Sequence, residues 1–371
     1  MSRHGDNIFR RKDKRWEGRY ICGRTENGRA RYKSVYAHSY AECRQKLDAH
    51  QTAAEFRGRR MTVSQLFEIW LESRKNSIKM STYTGYRTLY TNHIKSVLGG
   101  LPCESITAEM LNKYAADLIE SGNVFGGELS ANSVKAVMIV IKSMFNYGSC
   151  EYGYTNPAQK LALPKAVTKE ITVFDDNEII TLRGLAASGD QMLMGIVLCL
   201  CTGIRIGEVC ALKWLDIDLD NKVMHIGGTL QRIKNPTGGT PKTLVTITEP
   251  KSRKSIRDIP IPAFLLPVLE KLQRSGDCYF LTASPNFTEP RTLSFKYKKC
   301  LNDLGIKYRN FHCLRHTFAT KCIRAGVDIK TLSELLGHSS VQITLDRYVH
   351  SDLEVKRMQI EKLSAELFSK Q

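Results

Sequence analysis

The chain has 371 residues, of which 42% are hydrophobic and 25% charged, enough to build a sizeable core in two or three domains. Lys and Arg number 55 against 37 Asp and Glu, which gives a formal net charge of +18 at pH 7. This composition excludes wholesale disorder, and the charge implies a polyanionic partner, most often nucleic acid and otherwise an anionic membrane surface.

The cysteine pattern and the short apolar runs argue against a disulfide-bonded secreted protein and against a membrane-spanning one. The eleven cysteines include no CxxC pair, so we interpret them as reduced, mostly buried thiols of a cytoplasmic protein. The most apolar run, 192–201, is too short to cross a bilayer and predicts a core helix. The basic N-terminus has no apolar signal-peptide region. We therefore expect no membrane partner.

The first 56 residues predict a small three-stranded sheet followed by one helix. Short β-prone runs with aromatic residues lie at 8–12, 16–23 and 29–35. Asn27-Gly28 predicts a tight hairpin, and Ser39 is placed to cap a helix that ends near Phe56. Residues 1–60 contain sixteen Lys and Arg against seven Asp and Glu. This excess favours a sheet that enters a DNA groove over a generic α+β domain or a solvated basic tail.

Residues 61–155 predict a bundle of four helices. Apolar residues recur at helical spacing in segments that run from 63 to about 73, from 81 or 82 to 97, from 109 to 120, and from 131 onward. The predicted N-caps are Ser81 or Thr82 for the second helix, Thr107 for the third and Ser130 for the fourth.

The remainder predicts a linker, a third domain and a tail. Residues 156–171 contain two prolines and are interpreted as the linker. In the third domain, 172–350, Asp175 or Asp176 caps a helix, strand and turn signals fill 214–262, and helical periodicity then returns. Residues 351–371 predict a helical tail. The expected fold class is multidomain α+β, mainly helical, with a small antiparallel sheet in the third domain.

Polar motifs in the third domain carry the candidate chemistry. Arg205 follows a glycine at a predicted helix start, where a guanidinium can meet a phosphate, and Glu208 lies one turn later. An ordinary surface ion pair is the alternative. Lys251 lies on a basic turn between strands. Such a turn is usually a solvated hairpin tip, but a lysine on it can reach into a minor groove or give a proton to a leaving alkoxide.

Three further motifs follow. His312 and Arg315 share a helical face, although His312 and His316 could instead form half of a zinc site. His338 follows a glycine at a helix end, where a capping role is the common alternative. Tyr348 lies in a helix, where a tyrosine is usually part of the core.

Taken together, these residues resemble the catalytic set of the tyrosine recombinase (phage integrase) family. The matching strings are TGIRIGEVCALKW, PKSRKSIRDIPIP, FHCLRHTFAT and LLGHSSVQITLDRYVH. The resemblance covers about 172–350. Upstream, 61–155 resembles the core-type DNA-binding domain, and 1–56 resembles the arm-type DNA-binding domain of phage lambda-type and conjugative-transposon integrases.

The resemblance implies a role for each residue. Tyr348 would attack a DNA phosphodiester to give a 3′-phosphotyrosine and a free 5′-hydroxyl. Arg205 and Arg315 would clamp the phosphate, with Glu208 as support. Lys251 would protonate the leaving oxygen. His312 would assist proton transfer to or from Tyr348 and the phosphate, and His338 would donate a hydrogen bond to the phosphate.

The resemblance also implies partners. We expect an integrase of a mobile element that binds double-stranded DNA at core-type and arm-type sites and assembles as a homotetramer. Accessory DNA-bending or excision-directionality proteins are expected, as is a cytoplasmic, nucleoid-associated location in a prokaryote. No metal or other cofactor is expected. The alternatives are a non-catalytic basic DNA-binding regulator and a type IB topoisomerase-like strand transferase.

Overall fold

The structure is a computed structural model. It describes residues 7–11, 13–24, 30–55, 61–124, 126–159, 161, 172–235, 239–248, 255–274, 276–348 and positions 357, 360, 361, 363, 364, 367 and 368. The chain divides into two compact units, one formed by 1–168 with 234–240 and the other by 169–233 with 241–371. Assignment of 1–56, 61–155 and the tail to separate domains stays a prediction. Within the described ranges, no helix has the length and apolar character needed to span a membrane.

The first unit begins with the predicted sheet and helix. The elements are β1 (Ile8–Arg10), β2 (Trp16–Arg24), β3 (Ala30–Ala37) and α1 (Tyr40–Glu55). Strand β2 pairs antiparallel with both neighbours. Ser39 Oγ accepts a hydrogen bond from the Glu42 N–H at 3.2 Å, which confirms the predicted cap. Cys43 and Leu47 of α1 pack against Ile8 and Ala37, so one face of the sheet is covered. The Asn27-Gly28 turn lies outside the described residues.

Four helices follow in the same unit: α2 (Val63–Arg74), α3 (Met80–Leu89), α4 (Ala108–Ser121) and α5 (Ala131–Tyr152). The hydroxyls of Thr107 and Ser130 accept hydrogen bonds from the first turns of α4 and α5, as predicted. The apolar stripes of the four helices meet in one core. Its fully buried side chains include Phe67, Trp70 and Phe145.

The predicted start of the second of these helices is wrong. Helix α3 begins at Met80, and its N-cap is Lys79, which makes no side-chain capping bond. Ser81 and Thr82 already belong to the first helical turn, where the Thr82 N–H bonds to the Lys79 carbonyl at 2.9 Å. The chain then continues as a π-helical turn, Tyr90–Ile94, where an α-helix to residue 97 was expected.

The second unit is mainly helical, and its core surrounds one apolar helix. The helices are α6 (Asp176–Gly184), α7 (Gln191–Thr202), α8 (Ile206–Ala211), α9 (Leu266–Leu272), α10 (Pro290–Asp303), α11 (His312–Arg324), α12 (Ile329–Leu336) and α13 (Val341–Tyr348). Asp175, not Asp176, caps α6. Helix α7 contains the apolar run predicted from sequence, and both α10 and α11 pack on it.

Small sheets occupy the predicted strand region. Strands β4 (Ile217–Asp218), β5 (Val223–Ile226) and β8 (Arg257–Pro260) form an antiparallel sheet in the order β4-β5-β8. Strands β6 (Thr229–Lys234) and β7 (Thr243–Thr248) pair separately. The multidomain α+β fold class is therefore confirmed.

Candidate active site

Two left-handed glycines shape the site by ending α7 and α12. Gly203 has φ +69° and Gly337 has φ +62°, conformations that side chains rarely adopt. A Cβ at Gly203 would lie 2.5 Å from the Phe318 ring, and one at Gly337 would lie 2.9 Å from Arg257 Nη1. Only glycine fits at either position. The chain therefore turns sharply just before Arg205 and His338.

Arg205 is held by Glu208 at the start of α8. Its Nη1 donates to Glu208 Oε1 at 2.7 Å, and its backbone N–H donates to Glu208 Oε2 at 2.9 Å. The pair differs from an ordinary surface pair because Glu208 is only 5% exposed. The carboxylate fixes both the main chain and the guanidinium of Arg205, as the sequence predicted.

A second arginine, Arg257 of β8, shares the same carboxylate. Its Nη2 donates to Glu208 Oε2 at 2.9 Å, and its Nε donates to the Leu335 carbonyl at 2.6 Å. Burial alone would raise the pKa of Glu208, but the hydrogen bonds and charges of Arg257 and Arg205 outweigh it and lower that pKa. Glu208 is therefore an anion that joins α8 to β8, and Arg257 extends the connection to the end of α12.

Arg315 of α11 is buried and bonds to the ends of two helices. It is 1% exposed, and its Nη1 and Nη2 donate to the carbonyls of Gly203 and Leu336 at 2.8 and 2.7 Å. Its Nε has no hydrogen-bond partner among the described residues. Burial and the charge of Arg205 lower the pKa of Arg315 to about 9. Positive charge at this position is thus incompletely balanced by the protein.

Tyr348 ends α13 and is 8% exposed. Its Oη lies 2.8 Å from His316 Nδ1, and its ring is nearly parallel to that of His338, with centroids 6.5 Å apart. Burial raises the pKa of Tyr348, against the opposing charges of Arg315 and Arg347. The hydroxyl is therefore protonated at neutral pH.

The histidines around Tyr348 are neutral at the same pH. Burial, with Arg315 and Arg205, lowers the pKa of His338 to about 3, and its Nδ1 lies 2.8 Å from Thr344 Oγ1. His312 is exposed to solvent, yet the protein packed around it and neighbouring His316 lower its pKa to about 4. The rings of His312 and His316 meet edge to face at 4.6 Å.

Six of the seven residues predicted from sequence come together in one continuous set of contacts: Arg205, Glu208, His312, Arg315, His338 and Tyr348. The seventh, Lys251, lies outside the described residues. A zinc site at His312 and His316 would need a third ligand. The described residues contain no group of three metal-binding side chains, so none is found there.

Two members of the cluster were missed as site residues. Arg257 lies within the motif PKSRKSIRDIPIP. Strand alternation could have indicated that its side chain is buried, since Arg257 and Ile259 share the inward face of β8. His316 was considered only as a zinc ligand. Its contact with Tyr348 spans 32 residues of sequence, so no local pattern reveals it.

The arrangement suits a phosphodiester. Arg205, Arg257 and Arg315 supply three positive charges against one carboxylate, Glu208, while the imidazoles are neutral. An anion that enters the site would complete the balance, and guanidiniums bind phosphate oxygens in a fixed geometry. A tyrosine hydroxyl beside that position is a potential nucleophile.

Comparison with known proteins gives the family. The phage integrase family model matches residues 172–354, and the model of the phage integrase N-terminal SAM-like domain matches residues 62–119. The tyrosine recombinase XerC-like protein of Caldanaerobacter subterraneus subsp. tengcongensis is 32% identical over 92% of this chain and 94% of its own.

Solved structures share the fold. The Tn1549 transposon integrase in complex with transposon right end DNA has a TM-score of 0.68 and 22% identity, covering 82% of this chain and 100% of that one. A lambda integrase tetramer bound to a Holliday junction has a TM-score of 0.56 and 17% identity, covering 94% and 98%. With a relative this similar along nearly its whole length, the chain belongs to the phage integrase family of tyrosine recombinases.

Proposed function

We propose that this tyrosine recombinase integrates and excises a mobile genetic element by site-specific strand exchange through a 3′-phosphotyrosine intermediate. The observation that carries the proposal is the buried Tyr348 hydroxyl beside Arg315 and two neutral histidines. The likeness to the Tn1549 transposon integrase supports the choice of a mobile element.

Arg205 and Arg315 form the phosphate clamp in this mechanism. Arg315 is anchored to the backbone carbonyls of Gly203 and Leu336, at the ends of α7 and α12, and Arg205 to the carbonyl of Gly337, so their remaining N–H groups have fixed directions. As Tyr348 attacks, the phosphorus becomes pentavalent and gains negative charge. Preorganised donors stabilise that charge without reorganising. Because two guanidiniums supply the countercharge, we expect cleavage to need no metal or other cofactor.

Proton transfers complete the reaction. Lys251 is proposed to protonate the leaving 5′-oxygen, and His338 to donate a hydrogen bond to the phosphate. His338 Nδ1 is engaged by Thr344, which leaves Nε2 for that contact. His312, exposed at the start of α11, is proposed to assist proton transfer to or from Tyr348 and the phosphate.

The N-terminal sheet is proposed to bind arm-type DNA sites. On the face opposite α1, Arg19 lies 4.9 Å from the Phe9 ring centroid, and Arg11 lies 5.4 Å from that of Tyr36. Both aromatic rings are exposed. A sheet face that presents arginines beside exposed aromatic rings fits a major groove.

The helical region 61–155 is proposed to bind core-type sites. Lys135 and Lys142, two turns apart on α5, are exposed on one side of that helix, with exposed Ile139 between them. Such a stripe can track a phosphate backbone and support contacts in a groove. The family match over residues 62–119 agrees with this assignment.

A tetramer on DNA is proposed, with each tail docked on a neighbouring copy. Ile360, Leu363 and Leu367 of the tail are at least half exposed. A suitable receiver in the second unit is an apolar pocket lined by Leu200, Phe318, Cys322 and Val327 and flanked by Arg183 and Lys321. The likeness to the lambda integrase tetramer supports the assembly.

Cellular context follows from this activity. We expect the protein in the cytoplasm of a prokaryote, associated with the nucleoid. Accessory DNA-bending or directionality proteins are expected to bias integration against excision.

The test uses DNA from the ends of the element that carries the gene. Wild-type protein should form a denaturation-resistant protein–DNA adduct and recombinant products from two sites, whereas Tyr348→Phe should bind DNA and form neither. Binding without any wild-type adduct would favour a DNA-binding regulator. Relaxation of supercoils without recombinants would favour a topoisomerase.

The docking proposal has its own test on paired sites in a native gel. Truncation after Ser351 should abolish the tetrameric complex while single-site binding persists. A pocket variant, Phe318→Glu, should have the same effect, because a buried charge would exclude the apolar tail. Unchanged tetramer assembly by both proteins would refute docking between copies.

A further inference from the structure

Among the described imidazoles, His316 alone is within hydrogen-bonding distance of the Tyr348 hydroxyl. Its Nδ1 lies 2.8 Å from Tyr348 Oη. His338 lies parallel to the tyrosine ring, with its Nδ1 bonded to Thr344, and His312 touches His316 rather than Tyr348. The group placed to receive the nucleophile's proton is therefore His316.

The charges around His316 keep it ready to accept that proton. It is half-buried on α11, between His312 and the end of α13. Burial and the charges of Arg347 and Arg315 lower its pKa to about 4, so it is neutral at neutral pH. A neutral imidazole with hydrogen on Nε2 presents a lone pair at Nδ1.

Substrate binding would strengthen this base. Within the part of the chain that the structure describes, the charged groups that face His316 are Arg315 on its own helix and Arg347 on α13, and both disfavour the imidazolium form. A DNA phosphate bound at Arg315 brings negative charge next to them. The imidazolium then becomes easier to form at the moment when Tyr348 must lose its proton.

We propose that His316 is the general base that activates Tyr348, an assignment that rests on the proposed recombinase function. In cleavage, the Tyr348 O–H bond breaks and its proton passes to His316 Nδ1 as the Oη–P bond forms. The P–O5′ bond breaks, and the leaving oxygen takes a proton from the general acid, for which Lys251 is the candidate. In ligation the 5′-hydroxyl attacks phosphorus and gives its proton back to the group that acted as general acid, the P–Oη bond breaks, and His316 returns its proton to Tyr348. His312 then acts on the phosphate rather than on the tyrosine.

The experiment measures single-turnover cleavage by His316→Asn, whose amide reproduces a hydrogen-bonding atom near Nδ1 but takes up no proton. We expect a loss of about 100-fold, the lower range for a missing general base. The cleavage rate of the variant should rise about tenfold per pH unit, because Tyr348 must ionise beforehand, whereas the wild-type rate should level off. His225→Asn, at an exposed ion pair of β5, is the matched control and should cleave like wild type.

A substrate with sulfur in place of the bridging 5′-oxygen distinguishes loss of the general base from loss of the general acid. Such a leaving group needs no protonation, so Lys251→Ala should regain cleavage while His316→Asn should remain impaired. A second variant, His316→Gln, is measured in the same way. The DNA affinity and thermal midpoint of both variants are compared with those of wild type, so that a folding defect in His316→Asn is recognised.

Three results would overturn the inference: cleavage by His316→Asn within about threefold of wild type, rescue of that variant by the sulfur substrate, or faster cleavage, which would mean that His316 restrains Tyr348. Failure of the proposed function looks different, because wild-type protein would then form no adduct at all.

Discussion

Two covered glutamates each organise a pair of arginines, one in the N-terminal sheet and one in the candidate active site. Glu17 accepts hydrogen bonds from Arg11 at 2.9 Å and Arg19 at 3.1 Å, together with Ser34 at 2.7 Å. Glu208 accepts from Arg205 and Arg257 at 2.7 and 2.9 Å. The glutamates are 3% and 5% exposed.

The arginines differ where the glutamates do not. The side chains of Arg11 and Arg19 are 41% and 54% exposed, whereas at Glu208 that of Arg205 is 35% exposed and that of Arg257 is 6% exposed. Exposed guanidiniums deliver positive charge with freedom to adjust, which suits the backbone of a long polyanion. Guanidiniums anchored to buried groups, as Arg205 is to Glu208 and the Gly337 carbonyl, deliver a fixed geometry, which suits one phosphate in one reaction.

The largest expected effect comes from removing the buried carboxylate. Glu208→Ala leaves Arg257 buried without its counterion, which should lower the free energy of unfolding by about 3 kcal/mol or more. Cleavage should fall about 1,000-fold, because Arg205 loses its anchor. Urea unfolding and single-turnover cleavage measure the two effects. By contrast, Glu17→Ala should leave cleavage of an isolated core site intact. Equal cleavage by the two variants would remove the distinction between the clusters.

Arginine chemistry gives the next largest effect. Arg205→Lys keeps the charge but loses the planar fork, so cleavage should fall about 100-fold while DNA affinity changes little. EDTA should leave wild-type cleavage unchanged, because the guanidiniums supply the countercharge. Cleavage near the wild-type rate by the lysine variant would refute the clamp, and strong inhibition by EDTA would revive a metal site.

Deleting the N-terminal sheet should weaken binding without stopping the chemistry. A chain without residues 1–56 loses much of the net positive charge, so its DNA affinity should depend less steeply on salt. Binding to arm-type sites should disappear, and cleavage of an isolated core site should persist. Titrations at several salt concentrations provide the measurement. A truncated protein that binds both site classes like the intact chain would contradict the arm-binding role.

The smallest expected effect is a difference in how the stability of the second unit and that of the N-terminal sheet respond to acid. His338 has a pKa of about 3 and His316 of about 4, below their ordinary value of 6.5. Between these lowered pKa values and 6.5, the unfolded chain binds more protons than the folded chain. The stability of the second unit is therefore lost progressively as pH falls below 6.5. The pKa values of Glu17 and Asp13 are lowered too, so their contribution persists until pH falls below the usual carboxylate range.

Hydrogen exchange at about pH 7.5 and about pH 5.5, corrected for intrinsic rates, tests this contrast. Protection should fall in α11 and α12 and hold in β2. A larger loss of protection in β2 than in α11 and α12 would contradict the expected pH dependence.

Local chemistry made most of the fold predictable, and long-range contacts set the limit. Thr107, Ser130 and Asp175 cap helices because a hydroxyl or carboxylate reaches the next turn, a relation contained in the sequence. The start of α3 failed because Lys79 begins that helix without any side-chain cap. In the site, Arg205 and Glu208 are one turn apart and were predictable.

Arg257 and His316 were not recognised for a different reason. Arg257 meets Glu208 across 49 residues of sequence, and His316 meets Tyr348 across 32. Both contacts exist only after β8, α11 and α13 have packed. The family resemblance supplied the residues of the motif, but the network around them required the fold.

The most direct test of the central claim is to identify the residue that carries the DNA. Wild-type protein is trapped on a nicked element-end substrate, digested with protease and nuclease, and analysed by mass spectrometry. We expect a nucleotide linked through its 3′-phosphate to Tyr348, and no linked peptide in Tyr348→Phe. A nucleotide on another tyrosine, such as Tyr297 or Tyr308, or linkage through a 5′-phosphate, would contradict it.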